Sequence, residues 1–356
     1  MKMSKKIAIL TSGGDCAGLN AVMSAIVKRA SALDWEVIGL ENGTAGLLEE
    51  PYAIRTLTPD DFDGFVLRRG GTILGTTNSK NPFKYPMPDG SVKDRSDELI
   101  AALKDLEIEA VIGIGGDGSF AILDKLTKQG DISFIGVPKT IDNDLSLTDL
   151  SVGFDTAVEV ATEALDRLQP TAASHDRVMI LEVMGRDAGH IALAAGIAGG
   201  ADVILLPEIP YTIENVAKKI KAVKDSGRNF ALMIVSEAVK TGAGEKVEVA
   251  KGRYGGIGEY LAPKIADATG FETRVTVLGH VQRGGSPTWN DRFLAQALGV
   301  HAVDLVNEGK FGRMVAWQNR AVVDVAIEDA INECRIVRVN GTQVHTARSV
   351  GISFGD

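Results

Sequence analysis

Short apolar runs alternate with segments of helical periodicity through the first half of the chain. Leu19 to Ala32 carries apolar residues at helical spacing, and Leu99–Leu106 shows a second helical pattern. Four apolar runs have the length of a strand: Ile7–Leu10, Val37–Leu40, Ala110–Ile114 and Phe134–Val137. Strand, turn, helix and strand in this order indicate a parallel α/β sheet.

The second half repeats this alternation. A helical pattern runs from Ile213 to Ser226, and the glycine-rich, charged segment Lys240 to Gly258 predicts an excursion from the core. The residues from Arg335 onward are predicted to be β-like. Four further runs have strand length: Val178–Val183, Asp202–Leu206, Ala231–Val235 and Val275–Leu278. We therefore predict an α/β protein with two Rossmann-like lobes and mostly parallel sheets.

Composition and charge exclude several classes of protein. The chain has 356 residues, 45% of them hydrophobic, and a net charge of −9, which argues against nucleic-acid binding. The longest small-apolar stretch, Gly189 to Leu206, is too short and too polar to cross a membrane. No secretory signal pattern is visible, and Cys16 and Cys334 fit a reducing compartment better than a disulfide. We expect a cytoplasmic protein with no membrane partner.

Glycine-rich clusters follow two of the predicted strands, where open α/β sheets bind their ligands. Gly13 and Gly14 lie between a strand and a helix, so their backbone amides suit a phosphate, although an ordinary turn has the same pattern. The second cluster runs from Gly115 to Ser119 and includes Asp117, a carboxylate suited to Mg²⁺. Residues Gly113 to Gly118, which overlap this cluster, also match G-x-G-x-x-G. A dehydrogenase is disfavoured, because Lys139 stands where the acidic ribose contact is expected.

A third cluster brings two carboxylates close together. Asp142 and Asp144 follow Lys139 and Thr140 directly after a predicted strand. Like charges this close raise one pKa, which suits a general base. A solvated acidic turn is the alternative reading of the same residues.

Basic residues near glycines or strand ends form a fourth group. Arginine forks match phosphate oxygens, although each arginine alone is more often a surface ion pair. Together they predict a phosphate clamp. The group comprises Arg177, Arg186, Arg274, His280 and Arg283. The sequence contains no G-x-x-x-x-G-K-[ST] loop and no H-E-x-x-H, C-x-x-C or G-x-S-x-G motif.

Five motifs, in order, resemble those of the phosphofructokinase family: TSGGD, IGGDGS, TIDND, EVMGR and GHVQRGGSP. The resemblance covers about residues 1–330. It implies the phosphofructokinase fold and a kinase of glycolysis that transfers a phosphoryl group from ATP, with Mg²⁺, to fructose 6-phosphate. It also implies a homodimer or homotetramer with shared active sites.

The resemblance implies a role for each matching residue. Asp117 would hold Mg²⁺, Asp142 would be the base for the C1 hydroxyl with Asp144 in support, and Thr140 and Arg186 would act at the transferred group. The donor residues would be Gly13, Gly14, Gly116, Gly118, Ser119 and Lys139. The sugar would contact Met184, Gly185 and Glu237. Its 6-phosphate would contact His280 and Arg283, and a neighbouring subunit would supply Arg177 and Arg274.

The same resemblance implies a division of the chain. Residues 1–150 with about 284–330 would form the donor lobe, and residues 151–283 the sugar-phosphate lobe. Residues 331–356 form a tail to which the sequence assigns no role.

The signals for the phosphoryl donor conflict. Gly118 is typical of the ATP-using branch of the family, whereas Lys139 is typical of the pyrophosphate-using branch. A carboxylate at position 118 would oppose the α-phosphate of ATP, while a flexible lysine can move aside. We therefore favour ATP, with a pyrophosphate-dependent phosphotransferase as the alternative.

Three further departures separate this chain from the well-known bacterial ATP enzymes. Asn78, with Lys80 nearby, stands where an arginine bridges both substrates, and Gln169 replaces an arginine of the usual effector site. The segment containing Tyr254 to Gly258 is longer and resembles the mixed-type bacterial branch. An NAD- or lipid-type GGDG kinase and a non-catalytic paralogue are the remaining alternatives, and a seven-carbon sugar phosphate remains a possible acceptor.

Overall fold

The computed structural model describes residues 5–250 and 252–356. Its strands are β1 Lys6–Thr11, β2 Glu36–Leu40, β3 Ile54–Leu57, β4 Tyr85–Pro86, β5 Val92–Lys93, β6 Ala110–Gly115, β7 Ser133–Pro138, β8 Val178–Val183, β9 Val203–Leu205, β10 Ala231–Ser236, β11 Glu248–Ala250, β12 Arg253–Tyr254, β13 Thr273–Val277, β14 Arg313–Gln318 and β15 Ala321–Ala326. Its helices are α1 Leu19–Ser31, α2 Ser96–Asp105, α3 Asp117–Gly130, α4 Phe154–Ser174, α5 His190–Ala198, α6 Ile213–Asp225, α7 Ile257–Thr269, α8 Trp289–Glu308, α9 Ile327–Ile331 and α10 Thr342–Ser349.

The described chain forms two compact units. The first unit contains residues 5–140, 145–155 and 283–334, and the second contains Ile141–Asp144, the described part of 156–282, and Arg335–Asp356. The chain therefore changes unit several times, and the segment after β7 is divided between them. The predicted tail from residue 331 is also divided, because its last 22 residues, Arg335–Asp356, belong to the second unit. The ligands assigned to the two lobes stay a prediction.

A seven-stranded sheet organises the first unit, in the order β15-β14-β7-β6-β1-β2-β3. The pairs from β14 to β2 are parallel, while β15 and β3 are antiparallel at the two edges. Side chains alternate between the faces, and Ala8 and Leu10 of β1 pack with Leu99 of α2 and Phe120 of α3. On α8, Gly299 allows close approach to α1, since a Cβ there would lie 2.8 Å from the Val22 carbonyl.

A fully parallel sheet organises the second unit, in the order β13-β8-β10-β9. The strands β8 and β10 are buried along their whole length. Val216 and Ile220 of α6, with Leu261 of α7, pack against the sheet. Strands covered in this way read as continuous apolar runs, which is why the sequence reveals them. The predicted two-lobed α/β fold with mostly parallel sheets is confirmed.

The prediction for the end of the chain was wrong. Most of this segment is not β-like, because α10 lies within it; only Ser353 pairs, in a single parallel bridge, with Val203 of β9. Val344 and Ala347 are the buried residues of α10, which packs on α5. Two small apolar residues in eight give a weak helical pattern, so tertiary packing determines this helix.

Other elements were absent from the prediction or differ in extent. The sequence analysis did not identify β3, β14, β15, α4, α7 or α8. The excursion predicted from Lys240 is an exposed hairpin of β11 and β12, and its last residues begin α7. No helix of the described residues has the length and apolar character needed to cross a membrane.

Candidate functional site

The two glycine clusters and Lys139, which directly follows β7, lie at one edge of the first unit's sheet. The strands β1, β6 and β7 are neighbours in that sheet. The amide of Ser12 donates to the Ile114 carbonyl at 3.0 Å, and the amide of Lys139 donates to the Gly115 carbonyl at 2.9 Å. The turn after β1, the start of α3 and Lys139 are therefore adjacent, as expected for carboxyl ends of parallel strands.

The turn at Gly13 and Gly14 has no room for side chains. Gly13 has φ +82°, and a Cβ there would lie 3.2 Å from Ser119 Oγ and 3.4 Å from Lys139 Nζ. The buried Lys139 side chain donates from Nζ to the carbonyl of Gly14. This arrangement places backbone amides, one hydroxyl and one ammonium around a single turn, which suits an anion.

Arg283 also lies against this turn. Its Nη1 donates to the Asp15 carbonyl at 3.1 Å, and a Cβ on Gly14 would lie 2.1 Å from the same nitrogen. The family resemblance implied that Arg283 and His280 bind the 6-phosphate of the sugar. The guanidinium instead contacts the predicted donor turn in the first unit, and its role toward the sugar stays a prediction.

The neighbouring thiol of Cys16 is not a reactive group. Its Sγ donates to the Val152 carbonyl at 3.4 Å, and burial raises the pKa of Cys16 to about 12. A thiol with so high a pKa stays protonated at neutral pH. Cys16 therefore packs beside the turn and supplies no nucleophile.

Asp117 and Gly118 form the start of α3. Asp117 is partly buried in the first turn, where a carboxylate is favoured by the helix dipole. Gly118 is exposed, and a Cβ there would meet no atom within 4 Å. The described residues contain no cluster of three histidine, cysteine or acidic side chains that could hold a metal. A lone carboxylate nevertheless fits Mg²⁺, which keeps waters and binds substrate phosphates.

In the second unit the two predicted carboxylates are buried. Asp142 is 3% exposed and Asp144 is 7% exposed, and Asn143 between them has φ +54°. Arg186 Nη1 lies 4.0 Å from Asp144 Oδ2, with the arginine side chain itself more than half exposed. Burial removes the reading of this segment as a solvated acidic turn. Thr140, by contrast, belongs to the first unit, where its carbonyl accepts from Ser151 Oγ at 2.7 Å.

Glu237 fixes the backbone of the predicted sugar-binding turn. Its Oε1 accepts from the amides of Gly185 and Arg186 at 3.2 Å and 3.0 Å. Arg186 adopts φ +48°, so the carboxylate holds a left-handed residue in place. The neighbouring Ser236 Oγ is buried without a hydrogen-bond partner among the described residues, and sequence reasoning missed it. Met184 lies in the same turn and is partly buried.

Arg177 and Arg274 converge on one carboxylate that the sequence analysis missed. Arg177 donates to both oxygens of Glu272, at 2.8 Å and 3.2 Å, and Arg274 Nη2 donates to Oε1 of the same residue. The hydrogen bond from Arg177 lowers the pKa of Glu272. The structure therefore brings these two predicted phosphate ligands together around an exposed anion. His280 is exposed on the short turn Gly279–Arg283.

The exposed hairpin is anchored beside Arg186. Lys246 Nζ and Tyr254 Oη both donate to Oδ1 of Asp187, the latter at 3.1 Å. Burial raises the pKa of Asp187, but the bond from Lys246 and its charge outweigh this and lower the pKa overall. The longer segment around Tyr254 is therefore tied to the turn that carries Arg186.

Glycine turns, a buried carboxylate pair and arginines at strand ends define a phosphoryl-transfer class of α/β protein. The family model for phosphofructokinase matches residues 6–306. An ATP-dependent 6-phosphofructokinase from Synechocystis is 57% identical, over 99% of both chains. A protein of the same description from Chloroflexus aurantiacus is 48% identical, over 99% of this chain and 98% of its own. This chain belongs to the phosphofructokinase family.

Solved structures agree with this assignment. The phosphofructokinase of Pichia pastoris superposes with a TM-score of 0.81 at 29% identity, over 99% of this chain. This chain spans 37% of that longer protein. A pyrophosphate-dependent phosphofructokinase from Marinobacter aquaeolei has a TM-score of 0.78 at 24% identity, over 98% of this chain and 88% of its own. The latter likeness shows the shared fold.

Proposed function

We propose that this protein is an ATP-dependent 6-phosphofructokinase of glycolysis. It transfers the terminal phosphoryl group of ATP to the C1 hydroxyl of fructose 6-phosphate and gives fructose 1,6-bisphosphate. The relatives at 57% and 48% identity bear the name of this activity over nearly their full length. The observation that carries the choice of donor is the open space at Gly118, where an added Cβ would meet no atom within 4 Å.

The donor argument rests on two residues of the first unit. Open space at Gly118 leaves room beside the start of α3 for the inner phosphate of a nucleotide. Lys139, the residue that resembles the pyrophosphate branch, is buried and donates to the Gly14 carbonyl. The Lys139 ammonium therefore stabilises the geometry of the turn. This role is compatible with ATP and does not require a pyrophosphate donor.

Asp117 is the proposed protein ligand of Mg²⁺ in this site. The carboxylate lies in the first turn of α3, beside the residues proposed to hold the donor, Gly13, Gly14, Gly116 and Ser119. When bound, Mg²⁺ neutralises the charge that the phosphate oxygens carry and develop. The protein's own part is to hold the donor through backbone amides and to keep Asp117 at the edge of the sheet.

Asp142 is the proposed general base. Its carboxylate accepts the C1 hydroxyl proton while the C1 oxygen attacks the terminal phosphorus, and the bond from that phosphorus to the bridging oxygen breaks, releasing ADP. Asp144 supports this carboxylate, and Arg186, 4.0 Å from Asp144, offers a cation to the transferred group. Thr140 is proposed to contact the same group.

The acceptor is proposed to bind through the second unit and Arg283. Met184, Gly185 and Glu237 contact the sugar, and His280 and Arg283 its 6-phosphate. Arg177 and Arg274 are proposed to reach the 6-phosphate of a neighbouring copy, which implies a homo-oligomer; in this chain they bind Glu272. We also propose a cytoplasmic location, since Cys16 is buried and Cys334 is exposed, with no disulfide between them.

A coupled turnover assay tests the acceptor. The purified protein is given ATP and Mg²⁺ with fructose 6-phosphate, a seven-carbon sugar phosphate or NAD in separate reactions. The proposal expects the highest kcat/KM with fructose 6-phosphate, and a product that aldolase cleaves. Turnover of NAD but of neither sugar phosphate would replace the proposal with a GGDG kinase of another substrate class.

A further inference from the structure

The last segment of the chain, which returns to the second unit at Arg335, touches the loop of the proposed base. The amide of Arg335 donates to the carbonyl of Asp144 at 2.7 Å. The carbonyl of Arg335 accepts from His190 Nε2 at 3.0 Å. Both main-chain groups of one tail residue are therefore engaged, one with the Asp142–Asp144 loop and one with the first residue of α5.

Glu208 makes a second attachment two residues further on. Its Oε1 accepts from the amide of Val337 and from the amide of Gly189, both at 2.9 Å. Val337 is 3% exposed and Glu208 is partly buried, so the donor end of this bond is shielded from water. Gly189 directly precedes His190, and the two attachments consequently join the tail to the same end of α5.

His190 is suited to a permanent contact of this kind. It is 7% exposed, and burial lowers its pKa to about 4, so the imidazole is neutral at physiological pH. A carbonyl oxygen only accepts, and therefore Nε2 carries the proton in this tautomer. The bond to Arg335 persists across the neutral pH range.

The rest of the tail is held independently of these bonds. Phe354 is fully buried, Val344 of α10 is 1% exposed, and Ser353 exchanges main-chain hydrogen bonds with Asp202 and Ile204 at 3.0 Å and 2.9 Å. A segment anchored in this way is a fixed support for whatever it touches. Because the tail is fixed by its own packing, its contact with Asp144 constrains the position of the Asp142–Asp144 loop.

We infer that His190, Glu208, Arg335 and Val337 form a latch that positions the Asp142–Asp144 backbone for phosphoryl transfer, an inference that rests on the proposed function. Asn143 has φ +54°, a conformation that surrounding contacts must maintain. Displacement of a reacting carboxylate by about 1 Å costs up to about 10²-fold in rate. The latch residues touch no substrate and act through the loop.

Paired variants separate positioning from stability. His190→Leu and Glu208→Leu remove the attachments, while His190→Gln and Glu208→Gln keep a donor or acceptor at the same reach. Val344→Ala is the control, since it weakens the packing of the same tail and leaves the latch intact. We expect the leucine variants to lose about 10-fold in kcat with KM for ATP unchanged, the glutamine variants to recover most of it, and Val344→Ala to lower Tm with wild-type kcat.

Hydrogen exchange of the loop supplies a readout that does not depend on activity. The amides of Asp142–Asp144 and Arg335 should exchange at least about 10-fold faster in the leucine variants than in Val344→Ala. Leucine variants that lose stability like Val344→Ala but keep wild-type kcat and loop protection would overturn the latch. A wild-type protein without turnover would refute the proposed function, and the exchange comparison would still decide whether the latch holds the loop.

Discussion

The candidate sites of the two units are built from different chemical groups. In the first unit the candidate site is mostly backbone: glycine turns lie at the ends of β1 and β6, Lys139 is bound to the Gly14 carbonyl, and Arg283 is bound to the Asp15 carbonyl. In the second unit the site is made of charged side chains, and several already have protein partners, as Glu237 does with two amides and Glu272 with two arginines. The difference teaches that the proposed donor side depends on available space, whereas the proposed acceptor side depends on charges held in position.

The largest expected effect tests the charged side. Asp142→Asn keeps the shape of the side chain but cannot accept the hydroxyl proton, so kcat should fall by about 10²–10⁴-fold. The variant should retain the wild-type Tm within a few degrees. Asp131→Asn is the control, because that aspartate is exposed and asparagine tolerates its φ of +52°. A kcat for Asp142→Asn within about twofold of the wild-type value would show that Asp142 is not the general base.

The second effect contrasts the buried ionisable groups of the two units. His190 has a pKa of about 4 against an ordinary 6.5, whereas Cys16 has a pKa of about 12 and stays neutral in acid. Between pH 6.5 and about 4 the unfolded chain protonates His190 and the folded chain does not. Stability from this group is therefore complete above pH 6.5 and is lost as the pH falls.

Urea unfolding at pH 7 and pH 4.5 measures the contribution of His190 to the free energy of unfolding. The wild type should lose on the order of 2–3 kcal/mol more between these pH values than His190→Gln, which does not titrate. Equal losses in the two proteins would show that the imidazole is not buried in its neutral form.

The third effect tests the open space beside Gly118 in the first unit. Gly118→Asp places a carboxylate where the inner phosphate of ATP is proposed to lie, and kcat/KM for ATP should fall about 10-fold. Gly118→Ala is the matched control, since its Cβ meets no atom within 4 Å and kcat/KM should stay within about threefold of wild type. Steady-state kinetics with ATP varied at saturating sugar decides the matter. An equal loss in both variants would show that backbone freedom, and not charge, is required at this position.

The smallest effect concerns the arginine pair. Glu272→Gln removes the anion that Arg177 and Arg274 share, so KM for fructose 6-phosphate should decrease about two- to fivefold, more at low salt than at high salt. The exposed Glu248, in the hairpin, provides the control Glu248→Gln. An increased KM would mean that Glu272 orients the arginines instead of competing with the phosphate.

The sequence predicted those parts of the candidate site that directly follow strand ends. Gly13, Gly118 and Asp142 follow buried parallel strands, and such strands appear as apolar runs that end in polar residues. The two-lobed fold follows from the same runs. These features depend on local order along the chain, which the sequence displays directly.

Local order along the chain could not predict contacts between residues that are far apart in sequence. Glu272 meets Arg177 from 95 positions away, and Glu208 meets Val337 from 129 positions away. The resemblance assigned Arg283 and His280 to the 6-phosphate, and it gave no sign that the Arg283 guanidinium contacts the Asp15 carbonyl. The short helix α10 forms because two small residues are buried by tertiary packing, and its own propensity gives little signal.

The most direct test of the account compares two donors. Initial rates are measured with saturating fructose 6-phosphate and Mg²⁺, using ATP in one series and pyrophosphate in the other, and kcat/KM is obtained for each donor. The account predicts turnover with ATP and a kcat/KM for pyrophosphate at least about 100-fold lower, because Gly118 leaves room for the nucleotide and Lys139 is bound to the Gly14 carbonyl. Turnover with pyrophosphate at a higher kcat/KM than with ATP would contradict it.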